Sequence, residues 1–272
     1  MPLVLVPRRD PAGPLSIELD GIVPDRVAGL SAAEVARLPI RADACPLPLG
    51  EVFDVTGAGD DGRIECRGDF SRVHRVGAGM ASGRMLVRGP AGRHAGARMT
   101  GGTLVIEGDA GDWLAAEMSG GEVRVAGAAG DNLAGARPGS DAGLRGGVVL
   151  VAGGAGDLAA ARMRRGLVAI GGRCGVAAGF EMRAGTLVVA GGCGPQPGLG
   201  MRRGTIVAPG GVSALPATFA RGCRWSPPLL PLLLRRLVRA GFAPAPAAPA
   251  GPWRQWHGDL LAGGRGELFH PE

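Results

Sequence analysis

Apolar side chains recur two apart, bracketed by glycine, through the middle of this chain. The pairs are Met85 and Val87, Leu104 and Ile106, Val123 and Val125, Val149 and Val151, Val168 and Ile170, Leu187 and Val189, Ile206 and Ala208. Alternation with a period of two marks a strand buried on one face. Methionine sets a longer period. Met80, Met99 and Met118 are 19 apart, as are Met163, Met182 and Met201, and Leu144 fills the same place before Met163. Gly59 holds a weaker one before Met80. With that place as zero, the pairs stand at positions five and seven. Position three is Gly83, Gly102, Gly121, Gly147, Gly166, Gly185 and Gly204. Position nine is Gly89, Gly108, Gly127, Gly153, Gly172, Gly191 and Gly210, and position twelve is Gly92, Gly111, Gly130, Gly156, Gly175 and Gly194. Three glycine and three apolar columns in register define a repeat.

Each unit reads as a turn, a strand, a second turn and a shorter segment. Glycines at three and nine stand where corners call for positive φ or close backbone approach. An amphipathic helix over 111–118 is the competing reading, but interior glycine costs a helix about 1 kcal/mol each. Nineteen residues are too few for a helix-pair solenoid, and no leucine-rich-repeat Asn column exists. The pattern predicts an all-β, right-handed parallel β-helix of about eight 19-residue coils over residues 59–211. The first unit is 21 residues and the interval from Met118 to Leu144 is 26. Seven residues are therefore inserted around Gly135 to Ala142, and their loop composition predicts a projection from one edge.

A solenoid needs caps over its end coils. Residues 1–58 predict a small α/β cap. Leu15 to Leu19 alternates as a strand, and Ser31-Ala-Ala-Glu34 is a capping box opening a helix that ends before Pro39. Residues 212–242 predict a helical segment, Leu229 to Phe242, along the side or end of the solenoid. Residues 243–272 predict a Pro/Ala linker and an extended docking tail able to reach a distant surface.

Composition narrows the class. With 51 Gly and 22 Pro, disorder or collagen enters consideration. The 46% apolar content and the lack of a strict Gly-X-Y period remove both. The net charge of +6 comes wholly from Arg, and only 4% of residues are aromatic. No zinc-finger spacing or aromatic RNP strand accompanies the charge, which argues against nucleic acid. The opening Met1 to Pro7 is too short and uncharged for a signal peptide. Leu229 to Leu234 is broken by Pro231 and closed by Arg235 and Arg236, far short of the about 20 apolar residues a membrane span needs. Five Cys without paired spacing suit a reducing compartment, so a cytoplasmic location is expected, with no membrane contact.

Candidate chemistry is sparse. His74, His94, His257 and His270 form no metal-ligand spacing, and the Gly-X-Gly-X-X-Gly strings lie inside the repeat rather than opening a βαβ unit. No catalytic and no metal-binding residue is expected. Cys174 and Cys193 share position eleven with Ala91, Ala110, Ala129 and Ala155, a column that wants a small side chain. Coils about 4.8 Å apart would permit a disulfide there, and a reducing compartment disfavours one. Cys66 falls at an inward strand position, and Cys45 and Cys223 are isolated. Asp112, Asp131 and Asp157 at position thirteen suggest Asx-turns capping their own backbone rather than calcium ligands.

One column stands out. Position one of four consecutive units is Arg145, Arg164, Arg183 and Arg202, and position two adds Arg165 and Arg203. Stacking places their roots about 4.8 Å apart. Like charges in register are unfavourable unless the side chains splay into water or an anion lies across them. This strip is the candidate docking site for an acidic partner surface or an anionic ligand. Position eighteen, by contrast, interleaves Arg98, Glu117, Arg162 and Glu181.

Units such as Ala110-Gly-Asp-Trp-Leu-Ala-Ala-Glu-Met-Ser-Gly-Gly-Glu-Val-Arg-Val-Ala-Gly127 resemble the Gly-X-Gly-X-Gly repeat of the formylmethanofuran dehydrogenase C subunits, shared with the C-terminal domain of the glutamate synthase large subunit. The stretch from Pro24 to Pro39 and the end from Gly258 to Glu267 resemble the C subunits of the bacterial formyltransferase/hydrolase complex, so the resemblance covers nearly the whole chain. It implies a non-catalytic scaffold whose partners are the other subunits. That complex moves formyl from formyl-tetrahydromethanopterin to a methanofuran analogue and releases formate in one-carbon metabolism, the formaldehyde oxidation of methylotrophy. Catalysis and any metal would lie in partner subunits, and this chain would carry no cofactor of its own. The resemblance also offers an anion for the Arg column, a polyglutamyl methanofuran-type cofactor. The alternative is a glutamate-synthase-like structural β-helix serving an amidotransferase. A catalytic β-helix such as a polysaccharide lyase would need a carboxylate or Arg cluster on one strand face and usually a signal peptide.

Overall fold

The N-terminal residues build a cap from short pieces. The computed structural model describes residues 1–8, 15–242 and 252–271. Strand β1 (Leu3–Pro7) is followed by β2 (Ile17–Glu18), helices α1 (Pro24–Val27) and α2 (Ala32–Ala36), and the hairpin of β3 (Pro39–Ala42) with β4 (Cys45–Pro48). Helix α3 (Leu49–Val52) leads into β5 (Phe53–Thr56). The capping box forms: Glu34 N–H donates to Ser31 Oγ at 3.3 Å and Ser31 N–H to Glu34 Oε2 at 2.8 Å, satisfying two otherwise unpaired amides. The strand expected over 15–19 is only Ile17–Glu18, which pairs with β3 and with β7 (Val73–His74). The opening residues hold a strand that their sequence did not predict. β1 lies between β5 and the first repeat strand, β6 (Arg63–Arg67), with Leu3 and Leu5 fully buried. The cap thus extends the same sheet as the repeats.

Seven repeat strands follow: β8 (Arg84–Arg88), β9 (Thr103–Ile106), β10 (Glu122–Val125), β11 (Val148–Val151), β12 (Leu167–Ile170), β13 (Thr186–Val189) and β14 (Thr205–Val207). They pair in sequence order, all parallel, each in register one repeat on: Met85 faces Leu104, Leu104 faces Val123, and Val168 faces Leu187. Columns five and seven are buried throughout, and so is the Met/Leu column at zero. Position eleven makes a second, one-residue-wide parallel ladder from Phe70 through Ala91, Ala110, Ala129, Ala155, Cys174 and Cys193 to Val212. The methionines explain the first glycine column. Gly147 has φ +89°, and a Cβ there would stand 2.6 Å from Met118 Cε of the unit before. Glycine is required at position three by both conformation and space.

Positions thirteen to eighteen are not helical. Trp113, Ala115 and Glu117 have φ of +61°, +53° and +57°, so every second residue is left-handed. Their amides point alternately up and down the stack. Trp113 N–H donates to Asp131 O of the next unit at 2.8 Å, Ala115 N–H to Ala95 O of the unit before at 2.8 Å, and Glu117 N–H to Gly135 O at 3.3 Å. Left-handed L-residues cost about 1–2 kcal/mol each, and the ladders to both neighbours offset that cost.

The C-terminal residues correct one expectation. After β15 (Ala220–Trp225) and α4 (Leu229–Arg239), β16 (Trp253–Gly258) and β17 (Gly266–Pro271) form a hairpin, and β17 adds in parallel to β14. Residues 253–271 therefore pair into the sheet end, and among the described residues no extended docking tail leaves the body. A free parallel edge is unfavourable, and the chain's own strand pairs with it. The linker proper, residues 243–251, lies outside the described residues. Helix α4 lies on the outer face of the sheet. Leu230, Leu234 and Leu237 pack with Leu150, Leu167, Ala169, Val188 and Val207, joined by Phe242, Trp253 and Phe269. The result is an all-β chain with a thirteen-stranded, largely parallel sheet and a second sheet of four strands.

Candidate functional site

The Arg column forms as a stack. The backbone N–H of Arg145, Arg164, Arg183 and Arg202 donates, at 2.8 Å in each case, to the carbonyl of Met118, Leu144, Met163 and Met182 in the unit before. The insert does more than project. Arg137 pairs with Glu117 at 2.8 Å, Arg162 donates to Ser140 O at 2.9 Å, and Asp141 Oδ2 stands 3.1 Å from Arg164 Nη2 and 3.4 Å from Arg183 Nη1. The chain thus lays one carboxylate across two of the four arginines. The Asp141 side chain is 71% exposed, so each ion pair contributes only about 0.2–1 kcal/mol. Among the described residues Arg145, Arg165, Arg202 and Arg203 pair with no carboxylate, and all four are exposed. An open recess of about 690 Å³ borders the strip, lined by Glu117, Arg137 and Asp141. Burial alone would raise the pKa of Glu117, but the bonds from Arg137 and Ser140 outweigh it and hold the carboxyl below its ordinary value. At position eighteen, Arg162 pairs with Glu181 at 2.8 Å.

The Asp column corrects another expectation. Asp112, Asp131 and Asp157 do not cap their own backbones. Their Oδ1 atoms accept from the N–H of Asp131, Asp157 and Val176, one unit on, at 2.9, 2.8 and 2.7 Å. His74 Nδ1 accepts from Arg93 N–H at 3.0 Å in the same way, and burial lowers its pKa, which favours the neutral acceptor. These bonds tie unit to unit, and they explain glycine at position twelve. A Cβ on Gly130, Gly156 or Gly175 would overlap the Oδ1 of Asp112, Asp131 or Asp157.

The remaining candidates are structural. Cys66, Cys174 and Cys193 are buried and free, with burial pushing the thiols of Cys66 and Cys193 up to about 12. Cys174 and Cys193 sit on neighbouring rungs of the position-eleven ladder, unbridged. Alkylation of the native protein at pH 8 is expected to add two labels, at exposed Cys45 and Cys223, and denaturation to release the rest; a third native label would contradict this. His94 stacks on Trp113, and His270 Nε2 accepts from Trp256 Nε1 at 3.0 Å. Among the described residues no three His, Cys, Asp or Glu gather as metal ligands.

No family model matches the chain. It is 35% identical over 96 residues to the C subunit of molybdenum-containing formylmethanofuran dehydrogenase 1 of Methanosarcina barkeri, 34% of this chain and 31% of that protein. It is 38% identical over 80 residues to the C subunit of the formyltransferase/hydrolase complex Fhc of Methylorubrum extorquens, 29% of this chain and 30% of that one. The matched stretch spans about a third of either curated relative. The crystal structure of the formyltransferase/hydrolase complex FhcABCD from Methylorubrum extorquens, in complex with methylofuran, contains a chain that matches throughout. Identity is 36%, coverage is 99% of both chains, and the TM-score is 0.90.

Proposed function

This chain belongs to the family of the formylmethanofuran dehydrogenase C subunits and their formyltransferase/hydrolase counterparts, and from that premise we propose that it is the scaffold subunit of a formyltransferase/hydrolase complex. The observation that carries the reading is the match over 99% of both chains, because it includes both caps and not only the repeat. In this reading the stacked units wind as a right-handed parallel β-helix. The partners are the other subunits, which transfer formyl from formyl-tetrahydromethanopterin to a methanofuran analogue and release formate. The reaction belongs to formaldehyde oxidation in the cytoplasm. No described helix is long and apolar enough to cross a membrane.

Two features support a non-catalytic role. The Asp column of the repeat is used in joining units, through Asp112, Asp131 and Asp157. The arginines left over form a strip suited to carboxylates. Arg145, Arg165, Arg202 and Arg203, joined by Arg164 and Arg183 once Asp141 is displaced, would hold either an acidic partner surface or the glutamate chain of a methanofuran-type cofactor, by charge and hydrogen bonding alone. Any metal of the complex would sit in a partner subunit. The amidotransferase alternative has no observation of its own.

The test is direct. Co-expressed with its neighbouring subunits, the chain is expected to copurify with them. Purified alone, it is expected to transfer and hydrolyse no formyl group from formyl-tetrahydromethanopterin or formylmethanofuran. Robust turnover by the isolated chain would overturn the scaffold role, and failure to copurify would overturn membership of the complex.

A further inference from the structure

The outer face of the sheet is half covered. Its side chains come from positions four, six and eight. On β11 to β14 the central column is Leu150, Ala169, Val188 and Val207, lying under α4. The same column continues through Val105 on β9 and Leu86 on β8, where both side chains are only half buried. Between the halves stands Arg124, which donates to the Ala240 carbonyl at the C-terminal end of α4. The helix therefore ends where the bare half begins.

The bare half carries unbalanced positive charge. The β6–β8 register sets Arg63 opposite Arg84 and Arg67 opposite Arg88. Glu65 answers the second pair: it bonds Arg67 at 3.0 and 3.1 Å and also bonds Arg88. Those bonds hold the Glu65 carboxyl down at about 2. Arg88 also reaches Glu107, at 3.3 Å. Arg63 and Arg84 are exposed, and among the described residues neither guanidinium pairs with a carboxylate; Asp61 accepts only from the Arg63 backbone N–H, at 3.1 Å. Like charges directly opposite in a sheet are unfavourable unless something anionic joins them. Beside them is a hollow of about 260 Å³, with Pro2, Ile64 and Leu86 as its apolar lining. A second hollow of about 230 Å³, lined by Val105, Leu150 and Phe242, adjoins the end of α4.

We propose that the outer face of β6, β8, β9 and β10 is a docking groove for an acidic amphipathic segment of a partner subunit. Its apolar ridge would lie on Leu86 and Val105, and its carboxylates would be held by Arg63 and Arg84. This rests on the reading of the chain as one subunit of a complex. The dimensions agree with a short element. Helix α4, with 11 residues, lies over β11 to β14 and reaches Phe269 on β17 and Trp253 on β16, and the groove beyond its end takes four strands, β6 and β8 to β10, before the sheet continues into β1 and β5. Three strand spacings of about 4.8 Å correspond to roughly ten helical residues. The chain's own residues 243–251 hold no charged side chain and could not neutralise the arginines.

The experiment compares the isolated chain with the co-expressed complex by hydroxyl-radical footprinting and phenylglyoxal modification. Labelling of Leu86 and Val105, and modification of Arg63 and Arg84, are expected to fall at least about fivefold on assembly. Arg63→Glu with Arg84→Glu is expected to weaken assembly about tenfold, with a salt-sensitive binding step in the wild type. Arg63→Lys with Arg84→Lys keeps the charge and is expected to retain most of the affinity, which controls for folding. Copurification with unchanged labelling overturns the groove and leaves the family reading intact. Low labelling already in the isolated chain also overturns it, since the chain's own residues would then be the cover. Failure to copurify at all overturns both.

Discussion

Gly127→Val lowers the midpoint of thermal unfolding by roughly 6–12 °C. Position nine is not a left-handed corner, as the glycine column suggested; Gly127 is absent from the residues with positive φ. The constraint is space. A Cβ at Gly127 would stand 2.8 Å from both Asp109 N and Gly108 C, and would overlap Asp109 Oδ1. That oxygen accepts from Ala128 N–H at 2.7 Å, so the intruding side chain also breaks a bond between units. Overpacking costs about 1–3 kcal/mol and a lost hydrogen bond about 1 kcal/mol. Together these reach about 3 kcal/mol, at roughly 2–4 °C per kcal/mol for a protein of this size. Gly172→Val meets Gly154 N at 2.6 Å and is expected to behave alike. Position twelve is more exacting still. Gly156→Ala should be partly rescued by Asp131→Ala, because the second change removes the atom the new methyl overlaps. A wild-type melt for Gly127→Val, or strict additivity at Gly156 and Asp131, would remove the packing explanation.

Charge reversal of Arg164 and Arg183 to Glu is expected to weaken complex assembly or cofactor retention about tenfold, corresponding to about 1.4 kcal/mol. The two positions sit in the middle of the column, so reversal turns the strip from attracting carboxylates to repelling them. Asp141 supplies the control. It already pairs with both arginines, at 3.1 and 3.4 Å, and a ligand using them must displace it. Asp141→Ala is therefore expected to strengthen binding and to steepen its salt dependence. The two variants move the same measurement in opposite directions. If neither changes affinity, cofactor content or activity, the column is simply solvated.

The period and the inward-facing residues were legible in the chain because they are local. A glycine three places after a methionine, or two apolar residues two apart, reports a turn and a strand without reference to anything distant. The Ser31 capping box was legible for the same reason, since both its bonds lie within four residues. Cys66 could be placed in the core from its inward phase alone. What escaped depended on atoms one repeat away. Asp112 looks like an Asx-turn in isolation, and only stacking brings the Asp131 amide to its carboxylate at 2.9 Å. The left-handed Trp113, Ala115 and Glu117 carry no local signal, because their conformation is set by carbonyls in both neighbouring units. The longest reaches were the least visible. Residues 266–271 read as a tail by composition, yet β17 closes on β14 because that edge would otherwise leave its backbone unpaired. Position six is apolar without a break from Leu150 onward, after Arg124 interrupts it, a pattern whose meaning appears only when α4 is laid over it. Asp141 reads as part of a loop, and tertiary structure alone sets it between two arginines. Repetition thus determined the stack, whereas the ends, the covered face and the charge balance of the strip were decided by where distant segments could satisfy unpaired backbone, apolar surface and charge.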